Sequence, residues 1–491
     1  MKIPFCGPTY MGNTSFLGDR CINFIPEVNP ENAKGQITLL GTPGTTLWKN
    51  CPHSPIRGLH VVSNILFIVA GTTVYKSNLS GDLVAIGLFD TDSGAVTFSD
   101  NGHTSMGGHE VIVSDGVKLI VYNITTEITQ TINDPSAAIS LEYIDGYVVA
   151  ALVNSLRVRC SDLNACTVWN GLAVASIGSS QDRVLGVVNS REQLWCVKEY
   201  TTEVWYNAGV ATSTGFPFQR LSGAVLDVGS ISPLSIARGN NSIFFPARQK
   251  TGDGSGGFIG VIKITGLQQE IISPATLTQY MSTLTHSDAF GWCMVLQGHP
   301  LYVLTFPTSD VTLVYDDLTK MWFEWSTYQE PYKVGRYIGC CYAFYNNKHL
   351  VGDYGSGDIL EVSMSTYSDY NHADPSNPFP IVSTRISPHI YDNESLHNIF
   401  IHRFQVDMET GVGLTGNPYG DYVPGVRPKA QLSWSEDGGK TYSAVHFADI
   451  GIQGKRKQEV VWRKLGQSKD RVWKLSISDP IRKHIIGGYL E

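Results

Sequence analysis

The sequence has little charge and no long apolar run, and each shortage excludes a class of protein. Asp, Glu, Lys and Arg make up 16% of its 491 residues, and the formal net charge at pH 7 is −8. A mildly acidic chain is not built to bind nucleic acid over its whole surface. The longest apolar runs, 65–70 and 147–153, have the length of strands, so no bilayer-spanning segment is predicted. No apolar segment follows Met1, and no secretion signal is expected.

The cysteines also show no pattern that predicts disulfide bonds. The nine cysteines are an odd number, are scattered along the chain and form no Cys-x-x-Cys pair. This pattern predicts reduced thiols that serve as small apolar residues, and it disfavours a disulfide framework or a structural zinc site. The thirteen histidines are dispersed without metal-ligand spacing. We therefore predict no metal, no cofactor and no catalytic residues.

Glycine and aromatic residues are abundant instead, which favours short strands and turns over helices. The chain has 49 glycines and 11% aromatic residues. Between residues 57 and 364 a loose repeat of four short strands recurs seven times, a pattern typical of a β-propeller. The segment 166–169 is the predicted fourth strand of the third unit, and 231–238 is the predicted first strand of the fifth. The seventh unit lacks a fourth strand, and the segment 45–49 could complete it. We predict a seven-bladed propeller, with six blades as the alternative count and an array of β-sandwiches as the rival fold.

One helix interrupts this pattern, and a polar, proline-rich segment ends it. Ser273 is the predicted N-cap and Pro274 the first helical residue. We predict an N-terminal arm (1–43), the propeller (44–364), a linker (365–380) and a C-terminal β-sandwich-like platform (381–491) onto which the arm packs. Residues 411–429 form a predicted exposed loop in which Tyr419 and Tyr422 reach a neighbouring subunit.

The C-terminal region contains an Asp-box, a turn of fixed spacing. Ser435, Asp437, Gly439 and Thr441 have this spacing, and their carboxylate and hydroxyl groups can hydrogen-bond the turn amides. The segments 459–466 and 471–478 are predicted strands of one antiparallel sheet with a tryptophan-rich inner face.

Positive charge is concentrated at the end of the chain. From Gly451 onward there are ten Lys and Arg against four acidic residues, a net charge of +6 that leaves −14 for the remainder. These cations either cover a solvated sheet face or form a rim that meets DNA or an acidic partner subunit. The candidates for such an assembly or DNA-proximal rim are Lys455, Arg456, Lys457, Arg463 and Lys464.

Five motifs are spread along the chain: Cys21-x-Asn23-x-x-Pro26-Glu27, Thr42-Pro43-Gly44, the run from Tyr315 to Trp322, the Asp-box segment, and Trp462-Arg463-x-Leu465-Gly466. In this order they resemble the phage packaged-DNA stabilisation family, the tail-hub or nozzle proteins of short-tailed double-stranded DNA phages. The resemblance implies a structural virion protein of the tail, assembled in the host cytoplasm, without enzymatic activity.

The same resemblance implies partners. The subunit would form a homo-oligomeric ring of six copies below the portal and a head-to-tail adaptor ring. It would retain packaged DNA, conduct it through the lumen without sequence-specific binding, and dock tail fibres or spikes and a plug or needle. No membrane contact is implied.

Two alternatives remain open from the sequence. An Asp-box on a propeller is also found in sialidases, but here a single box lies outside the repeats and no arginine recurs at matching blade positions. A receptor-binding tail protein is the other alternative, although long β-helical or coiled-coil repeats are missing from the sequence.

Overall fold

The regular structure of the chain is almost entirely β, which confirms the predicted fold class. The computed structural model describes residues 2–7, 19–102, 108–250, 256–329, 333–392, 397–420 and 423–491. Strands account for 52% and helix for 2% of the chain. Within these ranges the structure contains no helix with the length and apolar character of a membrane span.

Seven antiparallel sheets follow one another and form the blades of a propeller. Blade 1 contains Ile56–Val62, Ile65–Ala70, Thr73–Ser77 and Leu83–Leu88, and blade 2 contains Thr97–Asp100, Glu110–Ser114, Leu119–Asn123 and Thr129–Ile132. Blade 3 contains Ser140–Ile144, Tyr147–Ala151, Arg157–Cys160 and Val174–Ser176, and blade 4 contains Val184–Ser190, Gln193–Lys198, Thr202–Asn207 and Phe218–Leu226.

The remaining three blades complete the ring. Blade 5 contains Gly229–Ser230 and Ala237–Gly239, then Ser242–Lys250, Gly256–Thr265 and Gln268–Ile271. Blade 6 contains Phe290–Leu296, His299–Phe306, Val311–Asp316 and Met321–Glu324. Blade 7 contains Gly339–Tyr345, Lys348–Asp353 and Asp358–Ser363, and its fourth strand comes from the other end of the propeller sequence.

That fourth strand, Gly44–Asn50, closes the ring. It pairs antiparallel with Asp358–Ser363, so that Thr45 lies opposite Val362. The first strand of blade 7 contacts the first strand of blade 1. The prediction that residues 45–49 complete a seventh blade is therefore confirmed, and the alternative count of six is wrong.

Blade 3 differs from the sequence prediction at its outer strand. The segment 166–169 is predicted as this strand, but Val174–Ser176 takes the position. The backbone N–H of Cys166 donates to the Glu110 carboxylate of blade 2 at 2.6 Å, and the Trp169 indole N–H donates to the Cys166 carbonyl at 2.7 Å. These bonds fold the segment into a turn that ties blade 3 to blade 2.

The predicted helix is present as Ala275–Ser282, but its cap differs. Pro274 occupies the N-cap position, and Ser273 does not cap the helix. The Ser273 hydroxyl oxygen instead accepts a hydrogen bond from the Val261 N–H at 2.9 Å, so a tertiary contact with blade 5 takes the oxygen that a cap would need. A 3₁₀ turn, Pro233–Ser235, likewise interrupts the predicted first strand of blade 5.

Two further sheets form a sandwich. The first contains Phe24–Val28, Ile37–Gly41, His484–Leu490, Arg403–Met408 and Val460–Arg463, with Lys2–Ile3 paired to His484–Leu490. The second contains Cys21–Ile22, Ser383–Ile386, Asp470–Ile477, Lys429–Ser435 and His446–Asp449, with Ile390–Tyr391 paired to Asp470–Ile477. Short two-stranded sheets pair Ser326–Gln329 with Lys333–Arg336, Ser368–Asp369 with Phe379–Pro380, and Ile399–Phe400 with Gln467–Ser468. The exact domain limits given above stay a prediction.

The prediction that the last two tryptophan-bearing strands share one sheet is wrong. Val460–Arg463 and Asp470–Ile477 belong to opposite sheets. The Phe404 ring stacks on both Trp462 and Trp473, with ring centroids 5.9 and 4.9 Å apart. The chain changes sheet between these strands because both indole rings then enter the same core from opposite sides.

The two-residue strand Cys21–Ile22 joins the sandwich to the propeller. It runs parallel to Met321–Glu324, the outer strand of blade 6, and antiparallel to Ser383–Ile386. The two units therefore share one continuous sheet of ten strands. One hydrophobic core also extends from blades 6 and 7 into the sandwich, and it includes Phe323, Val351, Phe24 and Trp473.

Asn23 fixes this junction through its side chain. Its amide nitrogen donates to the Ser326 carbonyl at 3.0 Å, the Ser326 hydroxyl at 2.9 Å and the Val382 carbonyl at 3.0 Å. Its amide oxygen accepts from the Ser326 N–H at 2.8 Å. The backbone has φ = 54°, a conformation that asparagine tolerates well. The side chain is 1% exposed and bonds both units at once.

A buried ion pair holds the N-terminal arm against the sandwich. The Arg385 guanidinium, fully buried, contacts the Asp19 carboxylate at 2.7 Å and donates to the Phe5 carbonyl at 2.7 Å. Burial raises the pKa of Asp19, and the charge of Arg385 opposes that rise. Loss of either partner would leave an uncompensated charge in the core.

Replacing Asn23 by alanine should loosen the junction. Asn23→Ala leaves four polar groups, three of Ser326 and the Val382 carbonyl, without this partner, and we expect the free energy of unfolding to fall by about 3 kcal/mol. Scanning calorimetry measures the change. Asn347→Ala is the control, because Asn347 has a similar φ of 58° but an exposed side chain. Equal effects of the two substitutions would contradict the role given to the Asn23 side chain.

Candidate assembly interface

The Asp-box turn connects two strands of the sandwich, Lys429–Ser435 and His446–Asp449. The Asp437 carboxylate accepts hydrogen bonds from the hydroxyls of Ser435 and Thr441, both at 2.6 Å, and from the N–H groups of Lys440 and Thr441 at 3.0 and 2.9 Å. The Gly439 N–H donates to the Ser435 hydroxyl oxygen at 2.8 Å, and Gly439 has φ = 91°. The Ser435 and Thr441 hydroxyls hold the pKa of Asp437 well below its usual range.

Arg471 contacts the residues on either side of Ser435, at the start of this turn, and stabilises the turn. Its guanidinium lies 5.2 Å from the ring centroids of both Trp434 and Trp473, and it forms an ion pair with Glu436 at 2.5 Å. The arginine side chain is almost fully buried, so aromatic faces and a carboxylate compensate its charge. The Asp-box therefore has a structural role in this sandwich: it fixes the end of one hairpin.

The five predicted cations of the C-terminal rim flank one edge strand, Val460–Arg463. Lys455, Arg456 and Lys457 precede this strand, while Arg463 and Lys464 end it. All five are exposed, and none forms an ion pair within the part of the chain that the structure describes. Arg403 on the neighbouring strand is paired instead, with Glu459 at 3.1 Å. The rim thus carries uncompensated positive charge.

The predicted exposed loop lies against the first group of these cations. Tyr419 and Lys455 line the same small cavity, of about 130 Å³. The Thr415 hydroxyl donates to the Gln453 side chain at 3.0 Å, and the Gly454 N–H donates to the Gly411 carbonyl at 3.0 Å. Tyr419 is 89% exposed, and Tyr422 lies outside the described residues.

An apolar strand edge lies beside the rim and is not predicted from the sequence. Val445 and Phe447 are exposed on or next to the edge strand His446–Asp449, and Phe447 is 61% exposed. The Trp462 indole N–H donates to the His446 carbonyl at 2.9 Å, which brings the edges of the two sheets together. The alternation of Val445, His446 and Phe447 is the signal that could have revealed this edge.

We use the name sandwich edge for this composite surface. It comprises Tyr419, Val445, Phe447, Lys455, Arg456, Lys457, Arg463 and Lys464. The Asp-box turn lies at the opposite end of the hairpin from Lys455, because Lys429 pairs with Asp449 while the turn follows Ser435. The structure thus places Lys455 beside Tyr419 and apart from Asp437. Lys464 lies at the other end of the edge strand and precedes Leu465, whose carbonyl accepts a hydrogen bond from Arg471.

The propeller face contains a cavity of about 420 Å³ between blades 5, 6 and 7. Its walls are mainly apolar and include Phe244, Tyr302 and Phe344, and the described residues that line it contain one arginine, Arg238, and no carboxylate. Glycoside hydrolysis commonly uses a pair of carboxyl groups. Among the described residues, no group of three or more His, Cys, Asp or Glu could hold a metal ion.

Two family models match the chain, one for each structural unit. The model described as "Bacteriophage P22 Gp10, beta-propeller" matches residues 1–367, and the model described as "Bacteriophage P22 Gp10, beta-sandwich" matches residues 384–490. No curated protein matches the chain.

Similar solved structures include three of low identity. A streptogramin B lyase structure is 9% identical and has a TM-score of 0.39, with 65% of this chain and 97% of that chain covered. The computationally designed Ika8 protein is 14% identical, with a TM-score of 0.35 and coverage of 64% and 98%. A chain of the mitotic checkpoint complex is 11% identical, with a TM-score of 0.38 and coverage of 68% and 96%. At these scores the likenesses say nothing about what this chain does.

Removing the Asp437 carboxylate should open the turn locally. We expect Asp437→Ala to speed hydrogen exchange of the segment 438–441 at least severalfold without unfolding the sandwich, because the Lys440 and Thr441 N–H groups lose their acceptor. Exchange followed by mass spectrometry resolves this segment. Asp374→Ala is the control, since Asp374 is also an exposed aspartate bonded by a serine hydroxyl, that of Ser376 at 2.6 Å. Unchanged exchange at 438–441 would show that the carboxylate does not hold the turn.

Proposed function

Since the chain belongs to the bacteriophage P22 Gp10 family, we propose that it is the subunit of the tail hub, or nozzle, of a short-tailed phage. The family identifies a structural protein of the phage tail. The observation that carries the proposal is that the family matches both the propeller and the sandwich. A shared propeller alone would say little, since one fold serves many functions.

In the proposed particle, six copies form a closed ring beneath the portal and the adaptor ring. The ring extends the channel, retains packaged DNA under pressure and conducts it during ejection. Its outer surface docks tail fibres or spikes, and its end holds a plug or needle. The subunit acts as a rigid building block of the virion tail and performs no catalysis.

The shared sheet supports this role mechanically. A subunit that resists the pressure of packaged DNA must not bend between its parts. Here a continuous sheet and a common core join the propeller to the sandwich, and Asn23 bonds both sides of the junction. A hinge between the two units would have fewer buried contacts than this.

The overall charge supports a channel through which DNA slides. The chain has a net charge of −8, so a lumen wall made from most of its surface would repel the phosphate backbone mildly. A basic wall would bind the duplex and slow its passage. Contact with DNA in the proposed channel is therefore transient and independent of sequence.

The ring is the feature to test first. We expect the purified chain, alone or with its adaptor ring, to form closed rings of one size, visible in negative-stain electron micrographs and countable by mass photometry. Hydrolysis of sialosides and cleavage of DNA should stay at background. A stable monomer that turns over sialosides would contradict the proposal and favour the glycosidase alternative.

Tyr419 should contribute to assembly but not to folding. Tyr419 is 89% exposed in the single chain, so its burial between subunits would stabilise the oligomer. Tyr419→Ala should therefore raise the dissociation constant of the oligomer about tenfold or more. Mass photometry over a dilution series measures the change. Tyr206→Ala, at a half-exposed tyrosine of blade 4, is the control. Equal assembly of both variants and the unmodified chain would exclude Tyr419 from the interface.

A further inference from the structure

The outer edges of blades 1 and 2 form a second apolar surface, on the propeller. Their fourth strands, Leu83–Leu88 and Thr129–Ile132, pair with one neighbour each. Large apolar side chains are exposed on these strands and beside them, with Leu88 61% exposed; the set is Leu79, Val84, Leu88, Val117 and Ile128. An unpaired edge with exposed apolar groups attracts further strands or partner surfaces unless it is covered.

This surface is continuous from one blade to the next. The Thr129 hydroxyl donates to the Ile86 carbonyl at 2.5 Å, and the Lys118 ammonium group donates to the Leu88 carbonyl at 3.0 Å. These bonds connect the outer strand of blade 1 to blade 2. We call the combined surface the blade edge.

The blade edge is acidic. Four exposed carboxylates lie on or beside the two outer strands, against two lysines, Lys76 and Lys118. They are Asp82, Asp90, Asp92 and Glu127. Glu127 is paired with Lys76 at 2.6 Å and Asp90 lies 3.8 Å from Lys118, whereas Asp82 and Asp92 form no ion pair in the described part of the chain.

The sandwich edge is also apolar, but its excess charge has the opposite sign. Tyr419, Val445 and Phe447 offer exposed apolar groups, and five exposed cations beside them lack carboxylate partners among the described residues. One edge is thus apolar with excess negative charge, and the other is apolar with excess positive charge. Surfaces of this kind are electrostatically complementary.

The two edges lie on different sides of the subunit. The sandwich is joined to blade 6, and blade 2 is three positions away from blade 6 in a ring of seven blades. A head-to-tail ring of identical subunits needs two different complementary patches, because each copy uses one patch toward each neighbour. A twofold-symmetric dimer built on one of these edges alone would instead bring that edge onto its own copy and place like charges together.

From this arrangement we propose that the sandwich edge of one copy docks on the blade edge of the next copy, and that this contact closes the ring. The inference rests on the proposed function, since it names the interface of the proposed ring. A second copy of this chain is the occupant because it is complementary to both edges at once. Duplex DNA or a separate acidic protein could satisfy only the sandwich edge and would leave the apolar blade edge uncovered.

Two charge-reversal variants test the contact. The first carries Lys455→Glu, Arg456→Glu and Lys457→Glu, and the second carries Asp82→Lys, Asp90→Lys and Asp92→Lys. Each variant alone places like charges across the contact, and we expect its ring dissociation constant to rise at least about a hundredfold. An equimolar mixture should form rings again, with the two variants alternating, because every contact then joins opposite charges. Native mass spectrometry identifies the alternating composition.

A matched control separates this effect from net charge and from folding. Glu31→Lys, Asp227→Lys and Asp374→Lys change the net charge of the chain by the same amount as the second variant, at exposed positions outside both edges. This control should assemble like the unmodified chain, and circular dichroism melts verify that every variant is folded.

The outcomes distinguish the two proposals. The contact is supported if rings form in the mixture but not with either variant by itself. If the unmodified chain forms rings and the reversals leave them intact, or if the mixture fails to recover, the contact is wrong while the ring function stands. If the unmodified chain forms no rings, alone or with its adaptor, the proposed function fails and the contact fails with it.

Discussion

Much of this structure is arranged to cover open strand edges. A strand at the end of a sheet leaves its N–H and C=O groups unpaired, and a protein must cover, shorten or use such an edge. The N-terminal fifty residues cover two of them. Gly44–Asn50 supplies the missing outer strand of blade 7, and Cys21–Ile22 covers the outer strand of blade 6. The same short segment therefore closes the propeller and joins it to the sandwich.

The buried polar groups of that segment explain why the junction has one geometry. Asn23 satisfies groups of blade 6 and of the sandwich at once, and Arg385 holds Asp19 and the Phe5 carbonyl inside the core. Each group is costly to bury without its partner, so a shifted arrangement would leave it unsatisfied. The edges that remain open, on blades 1 and 2 and on the sandwich, then have a fixed position relative to each other, as the proposed ring requires.

Much of the fold could be predicted from the sequence because its signals are local. The rhythm of four short strands predicts seven blades, the segment 45–49 has the pattern of a strand, and the alternation of Trp473, Leu475 and Ile477 identifies a buried face, where all three side chains are fully buried. The family resemblance, based on motifs at both ends and in the middle, is also confirmed.

The prediction fails where long-range contacts determine the structure. Glu110 binds the segment predicted as the outer strand of blade 3, and the core places Val460–Arg463 in the opposite sheet. The cations and Tyr419 are visible in the sequence, but their union with Val445 and Phe447 into one edge follows only from the fold.

We propose that this subunit builds a ring through two different edges of opposite charge. An electron cryomicroscopy reconstruction of the assembled ring would show which surfaces meet. We expect Tyr419, Phe447 and the Lys455–Lys457 segment of each subunit to lie against blades 1 and 2 of the next subunit, in the same way around the ring. A map in which these two edges face solvent, or in which identical edges meet across a twofold axis, would contradict it.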